Sequence, residues 1–521
     1  MTGAGMLLLA LLGTPTMAPA LQAGAVRVNI TPEPVTGVLL SGYEARNDEP
    51  SLGLHDSLYA RSLVLDDGAT SVAVVSLDLI GINPGRLPDL LQETGVEGWL
   101  LVATHNHAGP RVLDLSAPYT EDRGWPPEAP YLDRLESQLQ EGVRRARARM
   151  RPARLAVGTG RVDLAFNRRL VHDDGSVEMI WGRNRTARIP YPPVDPEVGV
   201  IRVDALTDEP VAILVNYACH AVVLGGANRW ISADFPGAMS AHLETAFPGA
   251  VALFLQGGAG DLDPYVDVQS SFAPVVEQGV LLGREAERVA TELGLAEPAD
   301  LDPALRLTRR EFTARRHGST TRQVQTGVDV LRIGERLVLV ALPGEPFVDL
   351  QLSLKARSPL PFTFLLGYAN GYAGYLPTRA AALEGGYGAS YGHTLHLEAG
   401  TGETMVDEAL RVLDPLTVVA ETARARSSIG PTLMAGHPNP FNTGLTVPFQ
   451  LPSETTARLE VHDLRGHLVR TLVDGLHAAG DHRAIWDGRD ATGRSVASGV
   501  YVLRLRVPRA PVSNRKVLLL R

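Results

Sequence analysis

Six short runs of nearly unbroken apolar residues constrain the fold of this chain more than any other feature. They are Ser71–Leu79, Trp99–Ala103, Val211–Tyr217, Val251–Leu255, Leu337–Leu342 and Phe362–Leu366. Runs this short, without regular polar alternation, read as strands buried on both faces. Helical patterns lie among them: Tyr131–Met150, Val275–Leu293, and a stretch opening at Pro236, where a first turn tolerates the missing N–H. From about Ala25 to Arg426 the order of elements therefore predicts an α/β domain of mixed sheets layered with helices. In Tyr131–Met150, Leu132, Leu135, Leu139, Val143 and Ala146 recur at helical spacing, so the arginines from Arg144 to Arg151 read as its solvated face and C-terminal end.

The texture changes after about Ser427. Short alternating runs at Leu445–Phe449, Ala457–Asp463, His482–Trp486 and Gly499–Val507 are separated by turn residues, the pattern of a small antiparallel β-sandwich. Residues 428–436 read as a linker between a domain over 24–427 and a second over 437–521. Two domains suit 521 residues, which exceed one ordinary core. A net charge of −9 and the lack of a dominant basic stripe argue against nucleic acid as a partner. One cysteine, Cys219, excludes an intramolecular disulfide and a cysteine-rich metal site.

The N-terminus resembles a secretory signal peptide over residues 1–23. The apolar run Met6–Leu12 precedes small residues, with one cut expected around Ala18-Pro19-Ala20 and a second after Ala23, although no Lys or Arg leads the run. The run is too short to span a bilayer. An exported protein is expected, periplasmic, at the cell surface or extracellular.

Several apolar runs end in residues that bind metals or move protons. Trp99–Ala103 leads into His105-Asn106-His107, Val211–Tyr217 into Cys219-His220, Leu337–Leu342 into Glu345, and Val251–Leu255 into a Gly-rich turn followed by Asp261 and Asp263. Strand ends hold ligands because a rigid sheet positions the loops there. If strand geometry persists through Thr104, the two histidines point to one side. Two histidines and a carboxylate form a first set of ligands for Zn²⁺. The alternative reading for each histidine is structural.

Taken together, the motifs resemble a known family. Ile30-Thr31-Pro32, Ser41-Gly42-Tyr43, Ser76-Leu77-Asp78-Leu79, Ala103 to Pro110, Asn167-Arg168, Asn216 to His220, Pro343-Gly344-Glu345 and Ala369-Asn370 before Tyr375 are similar to motifs of the neutral, non-lysosomal ceramidases and their bacterial relatives. The resemblance runs from about Val28 to Ala420. It implies a Zn²⁺ held by His105, His220, Glu345 and Tyr375, with His107, Arg168 and Tyr387 lining the site. A second cation, Ca²⁺ or Mg²⁺, is left open. The implied substrate is a small amphiphilic or cell-envelope compound with an amide or related acyl bond, and such a substrate would bring peripheral membrane contact.

Two departures qualify this. Where ceramide-cleaving members carry a serine in Gly-Asp-Val-Ser-Pro-Asn, this chain has Asp263 within Gly260-Asp261-Leu262-Asp263-Pro264-Tyr265. Asp263 reads either as a general base or as a turn residue capping backbone N–H groups. The family's own C-terminal domain is also missing from the sequence pattern. In its place the last ~85 residues resemble FlgD-like immunoglobulin-type modules, through Asn439 to Asn442, Val461 to Gly466, Trp486-Asp487-Gly488 and Ser498 to Tyr501. In some bacteria such endings engage the type IX secretion machinery. Gly388-Ala389-Ser390-Tyr391-Gly392 matches a nucleophile elbow, but no apolar strand precedes it, so a Gly-rich loop is expected.

Overall fold

The computed structural model describes residues 21–82, 85, 90–113, 129–182, 189, 191–295, 304–390, 396–413 and most of 432–520. They fall into two compact units divided between Leu413 and Asp414.

All six apolar runs are strands, with ends that differ from the runs by two residues at most. In the first unit an eight-stranded mixed sheet runs in the order Val251–Gln256, Pro210–Tyr217, Glu197–Ala205, Arg151–Arg161, Gln22–Asn29, Tyr59–Asp66, Ser71–Leu77, Gly98–Ala103. A four-stranded sheet orders Leu305–Arg315, Gln323–Ile333, Leu337–Ala341 and Phe362–Leu366. One core joins the two sheets, with Val74, Leu100, Leu214 and Leu253 packed in the same cluster as Leu339, Phe364 and Leu366. Burying each such side chain contributes about 1.5–3 kcal/mol.

The runs are continuous rather than alternating because they form parallel pairs in the interior. Ser71–Leu77 pairs with Gly98–Ala103, Pro210–Tyr217 with Val251–Gln256, and Leu337–Ala341 with Phe362–Leu366. Parallel partners need a crossover. Helix α2, Asp234–Ala246, lies within the second and α4, Val348–Arg357, within the third. Pro236 sits in the first turn of α2, as its chemistry requires. Helix α1, Ala129–Ala148, buries Leu135, Leu139, Val143 and Ala146 as their spacing predicts. It stops at Ala148, so the arginine run divides: Arg151 opens the strand Arg151–Arg161. Helix α3, Ala273–Leu295, packs on α2.

The second unit is a two-sheet sandwich. Thr432–Leu433, Leu445–Leu451 and Gly480–Trp486 form one sheet; Leu468–His477, Thr455–His462, Gly499–Arg506 and Ser513–Leu519 form the other. Trp486 and Tyr501, with ring centroids 4.9 Å apart, lie in the core between them.

Three expectations are corrected. Thr432–Leu433 is a core strand rather than linker: Leu433 is 2% exposed and Thr432 pairs with Gln450, a long-range contact that two residues cannot announce by periodicity. The rest of 428–436 and the leader up to residue 20 lie outside the described residues. A cut after Ala23 would fall inside a strand, since Leu21 and Ala23 are both core residues and Gln22 pairs with Asp66. Two strands, Leu468–His477 and Ser513–Leu519, also escaped the alternation pattern, the first because it buries its residues only in part.

Candidate metal centre

The three parallel pairs all deliver their C-terminal ends to one place. The edge strand Val251–Gln256 and the strand Ser71–Leu77, next to the opposite edge, lie far apart in the order of the large sheet, yet Ser76 Oγ donates to the Phe254 carbonyl at 2.6 Å, because the sheet curls back on itself. Gln256 closes the gap. Its amide nitrogen donates to the carbonyls of Thr104 (3.0 Å) and Cys219 (2.8 Å), the residues immediately before His105 and His220. The small sheet supplies Glu345, whose strand Glu345–Pro346 pairs in parallel with Tyr375–Leu376, Glu345 opposite Tyr375.

The strand before His105 does not persist. It ends at Ala103, and His105 takes φ = 61°, a left-handed conformation costly for a side chain with a Cβ. The tilt still brings the two histidines together, with Nε2 atoms 3.1 Å apart. Tyr368, itself at φ = 54°, stacks on His105 with centroids 4.0 Å apart.

The hydrogen bonds leave the correct nitrogens available. His105 Nδ1 lies 2.7 Å from the Ile80 carbonyl and His220 Nδ1 2.5 Å from that of Ala259, so each Nδ1 carries the proton and each Nε2 keeps its lone pair. Both Nε2 atoms stand 3.3 Å from Glu345 Oε2. His220 Nε2 and Glu345 Oε2 are buried and make no hydrogen bond of acceptable geometry among the described residues. Four ligand atoms about 2.0–2.1 Å from a tetrahedral centre stand about 3.3 Å apart, so these separations fit one shared ion. His105, His107 and His220 can also be grouped, with nitrogens within 4.8 Å of one another. We favour the set with Glu345, because it faces both imidazoles and brings the negative charge a divalent cation needs.

Burial, reinforced by Arg168, pushes His220 down to about 4; burial and the neighbouring histidines drive His107 well below the usual imidazole range. Burial acts upward on Glu345, but His105 and His220 outweigh it and hold the carboxyl well below its usual range. A neutral His220 imidazole beside an ionised carboxylate suits a divalent cation.

On the other flank lies Arg168, 6% exposed. Its guanidinium donates to Asp263 Oδ1 (3.1 Å), the Gly260 carbonyl (2.6 Å) and Tyr375 Oη (3.0 Å), and sits over the rings of Tyr387, Tyr375 and Trp181. Tyr375 and Tyr387 meet edge-on at 5.5 Å. Asp263 is in a strand, Leu262–Pro264, paired with Ala165–Asn167 rather than in a turn, and its described partner is Arg168. Backbone capping falls to Asp261 instead, which accepts from the Val348 N–H at the start of α4 (2.8 Å) and from Asn167 (2.7 Å). Burial lifts Asp263 to about 6 against the pull of Arg168.

Of the eight residues singled out from sequence, His105, His107, His220 and Glu345 meet side chain to side chain, while Arg168 gathers Asp263, Tyr375 and Tyr387 into a second group joined to the first where Glu345 pairs with Tyr375. Sequence reasoning missed Tyr372, whose hydroxyl donates to Glu345 Oε1 at 2.6 Å, and the bridging Gln256. Only proximity in sequence to Tyr375 could have drawn attention to Tyr372. Gly42 packs so tightly that an added Cβ would come 2.2 Å from His107 Nδ1. Ser390 is exposed at the end of a turn that no strand precedes, and Cys219 is a buried packing residue.

Residues 21–272 match the family model described as the N-terminal domain of neutral/alkaline non-lysosomal ceramidase. The N-terminal half of the chain is ceramidase-like. His105, His107, Arg168, His220 and Asp263 fall inside this ceramidase match, whereas Glu345, Tyr375 and Tyr387 lie beyond it. Residues 441–508 match the FlgD Ig-like domain. Over 268 residues the chain is 24% identical to a neutral ceramidase of Pseudomonas aeruginosa, covering 48% of this chain but only 38% of that relative's length. The crystal structure of neutral ceramidase from Pseudomonas aeruginosa superposes with a TM-score of 0.62 at 18% identity, over 96% of this chain and 99% of that one. A ceramidase complexed with C2 gives 0.62 and 18%, over 96% and 100%. These likenesses show a shared fold.

Proposed function

We propose that this chain is an exported zinc-dependent hydrolase that cleaves an amide (N-acyl) or related bond in a small amphiphile or cell-envelope compound. The observation that carries it is the convergence of His105 Nε2, His220 Nε2 and Glu345 Oε2 at 3.3 Å spacing, two of these atoms buried without a hydrogen bond. His105, His220, Glu345 and Tyr375 would hold the ion. Zinc supplies a nucleophile at neutral pH by lowering the pKa of water to about 7.

The chain's own residues do the rest. Asp263 takes up the proton of the attacking water, and His107 shuttles that proton onward to the leaving nitrogen, so that both carboxylate and imidazole return to their starting states. Arg168 and Tyr387 stabilise the charge that develops on the acyl oxygen; Arg168 Nε is buried with no hydrogen-bond partner among the described residues. Burial of the centre excludes bulk water and strengthens each of these contacts. Ceramide itself is not the expected substrate, because Asp263 cannot perform the hydroxyl chemistry of the relatives' serine. The immunoglobulin-type module is assigned to sorting by the secretion machinery.

The test is elemental analysis of purified protein followed by turnover of N-acyl amides, esters and phosphate esters. About one zinc per chain with amide cleavage is expected, and little ceramide cleavage. Ester or phosphate cleavage alone would overturn the amidase assignment. An empty centre with no turnover would instead make the chain a binding protein on an inherited fold.

A further inference from the structure

The carboxylate of Glu345 is held at both ends. Oε2 faces His105 and His220, while Oε1 accepts the Tyr372 hydroxyl at 2.6 Å. Tyr372 is 2% exposed, and its ring packs with Ile80 and Leu113. Ile80 is the residue whose carbonyl fixes His105 Nδ1 at 2.7 Å. One small cluster therefore orients two of the three converging groups: it sets the imidazole through a carbonyl and the carboxylate through a phenol.

We propose that Tyr372 is a positioning residue of the metal centre, holding Glu345 in a single-oxygen attitude so that only Oε2 is presented to the ion. Without that hydroxyl, Oε1 is free to swing toward the ion as a second ligand atom or to draw the carboxylate away. Partners of this kind change metal affinity by about 10–100-fold.

The proposal rests on the metal-centre reading above, and its test separates the two. Zinc affinity is measured on the full chain by competition with a chelator for wild type, Tyr372→Phe and Tyr131→Phe. Tyr131 is the control: its buried hydroxyl donates to the Ile30 carbonyl at 2.7 Å, in the contact between α1 and the segment after Gln22–Asn29. Tyr372→Phe should release zinc about 10–100-fold more readily. X-ray absorption of its zinc form should show an altered oxygen shell, and the melting temperature of its metal-free form should drop no more than that of Tyr131→Phe. Zinc affinity of Tyr372→Phe within about threefold of wild type would overturn the inference alone. So would an equal loss in Tyr131→Phe, which would mark a general stability effect. A wild type that takes up no metal would overturn both this inference and the hydrolase reading.

Discussion

Asp261 and Asp263 stand two positions apart, are equally buried, and are both lifted to about 6 by burial, yet their surroundings assign them different work. Asp261 is spent on the α4 N-terminus and Asn167, whereas Asp263 meets the guanidinium that also touches Tyr375. If Asp263 is the general base, Asp263→Asn lowers turnover by about 10²–10⁴-fold and leaves zinc bound. The sign of the pH effect follows from its role. A base works only when deprotonated, so wild-type turnover falls as pH drops through about 6, and that limb disappears in Asp263→Asn. Steady-state rates across pH 5–8 with metal content check both points. Turnover by the variant within a few-fold of wild type would return Asp263 to a purely structural role as the partner of Arg168.

Helix α4 shows how an element is fixed from outside itself. Its N-cap, Phe347, has no side chain able to cap, and the Val348 N–H is satisfied by Asp261 from the Gly-rich turn after Val251–Gln256. A carboxylate there also meets the positive end of the helix dipole. The same turn is tied to α4 again by Gln351, which accepts from the Gly258 N–H at 2.7 Å. Loop and helix are thus one unit, and it carries the Gly260 carbonyl that orients Arg168. Asp261→Ala should cost about 1–3 kcal/mol in urea unfolding, because it strands a buried N–H and an amide. A variant as stable as wild type would show that water replaces the carboxylate.

Each of the two units has its own core, and every proposed ligand belongs to the first. A chain ending near Ser428 should therefore keep its zinc and its hydrolytic rate and lose only export or surface sorting. Metal analysis, calorimetry and fractionation of expressing cells check this. A folded truncation lacking both metal and activity would place an essential contribution in the sandwich.

Local pattern determined much of this protein. Continuous apolar runs marked the buried parallel strands, the 3.6-residue period marked α1, and the residues at the strand ends marked the centre. These signals are legible because burial on two faces, or on one helical stripe, imposes its own period on the chain. Tertiary structure alone decided the rest. The curl of the large sheet brings Thr104 and Cys219 within reach of one Gln256 side chain, though His105 and His220 are 115 positions apart. His105 leaves strand geometry for a left-handed turn, Thr432–Leu433 becomes core by pairing, and Tyr372 reaches Glu345 across a gap of 27 positions. Such contacts leave no period in the sequence, because their free energy comes from packing between segments that are distant along it.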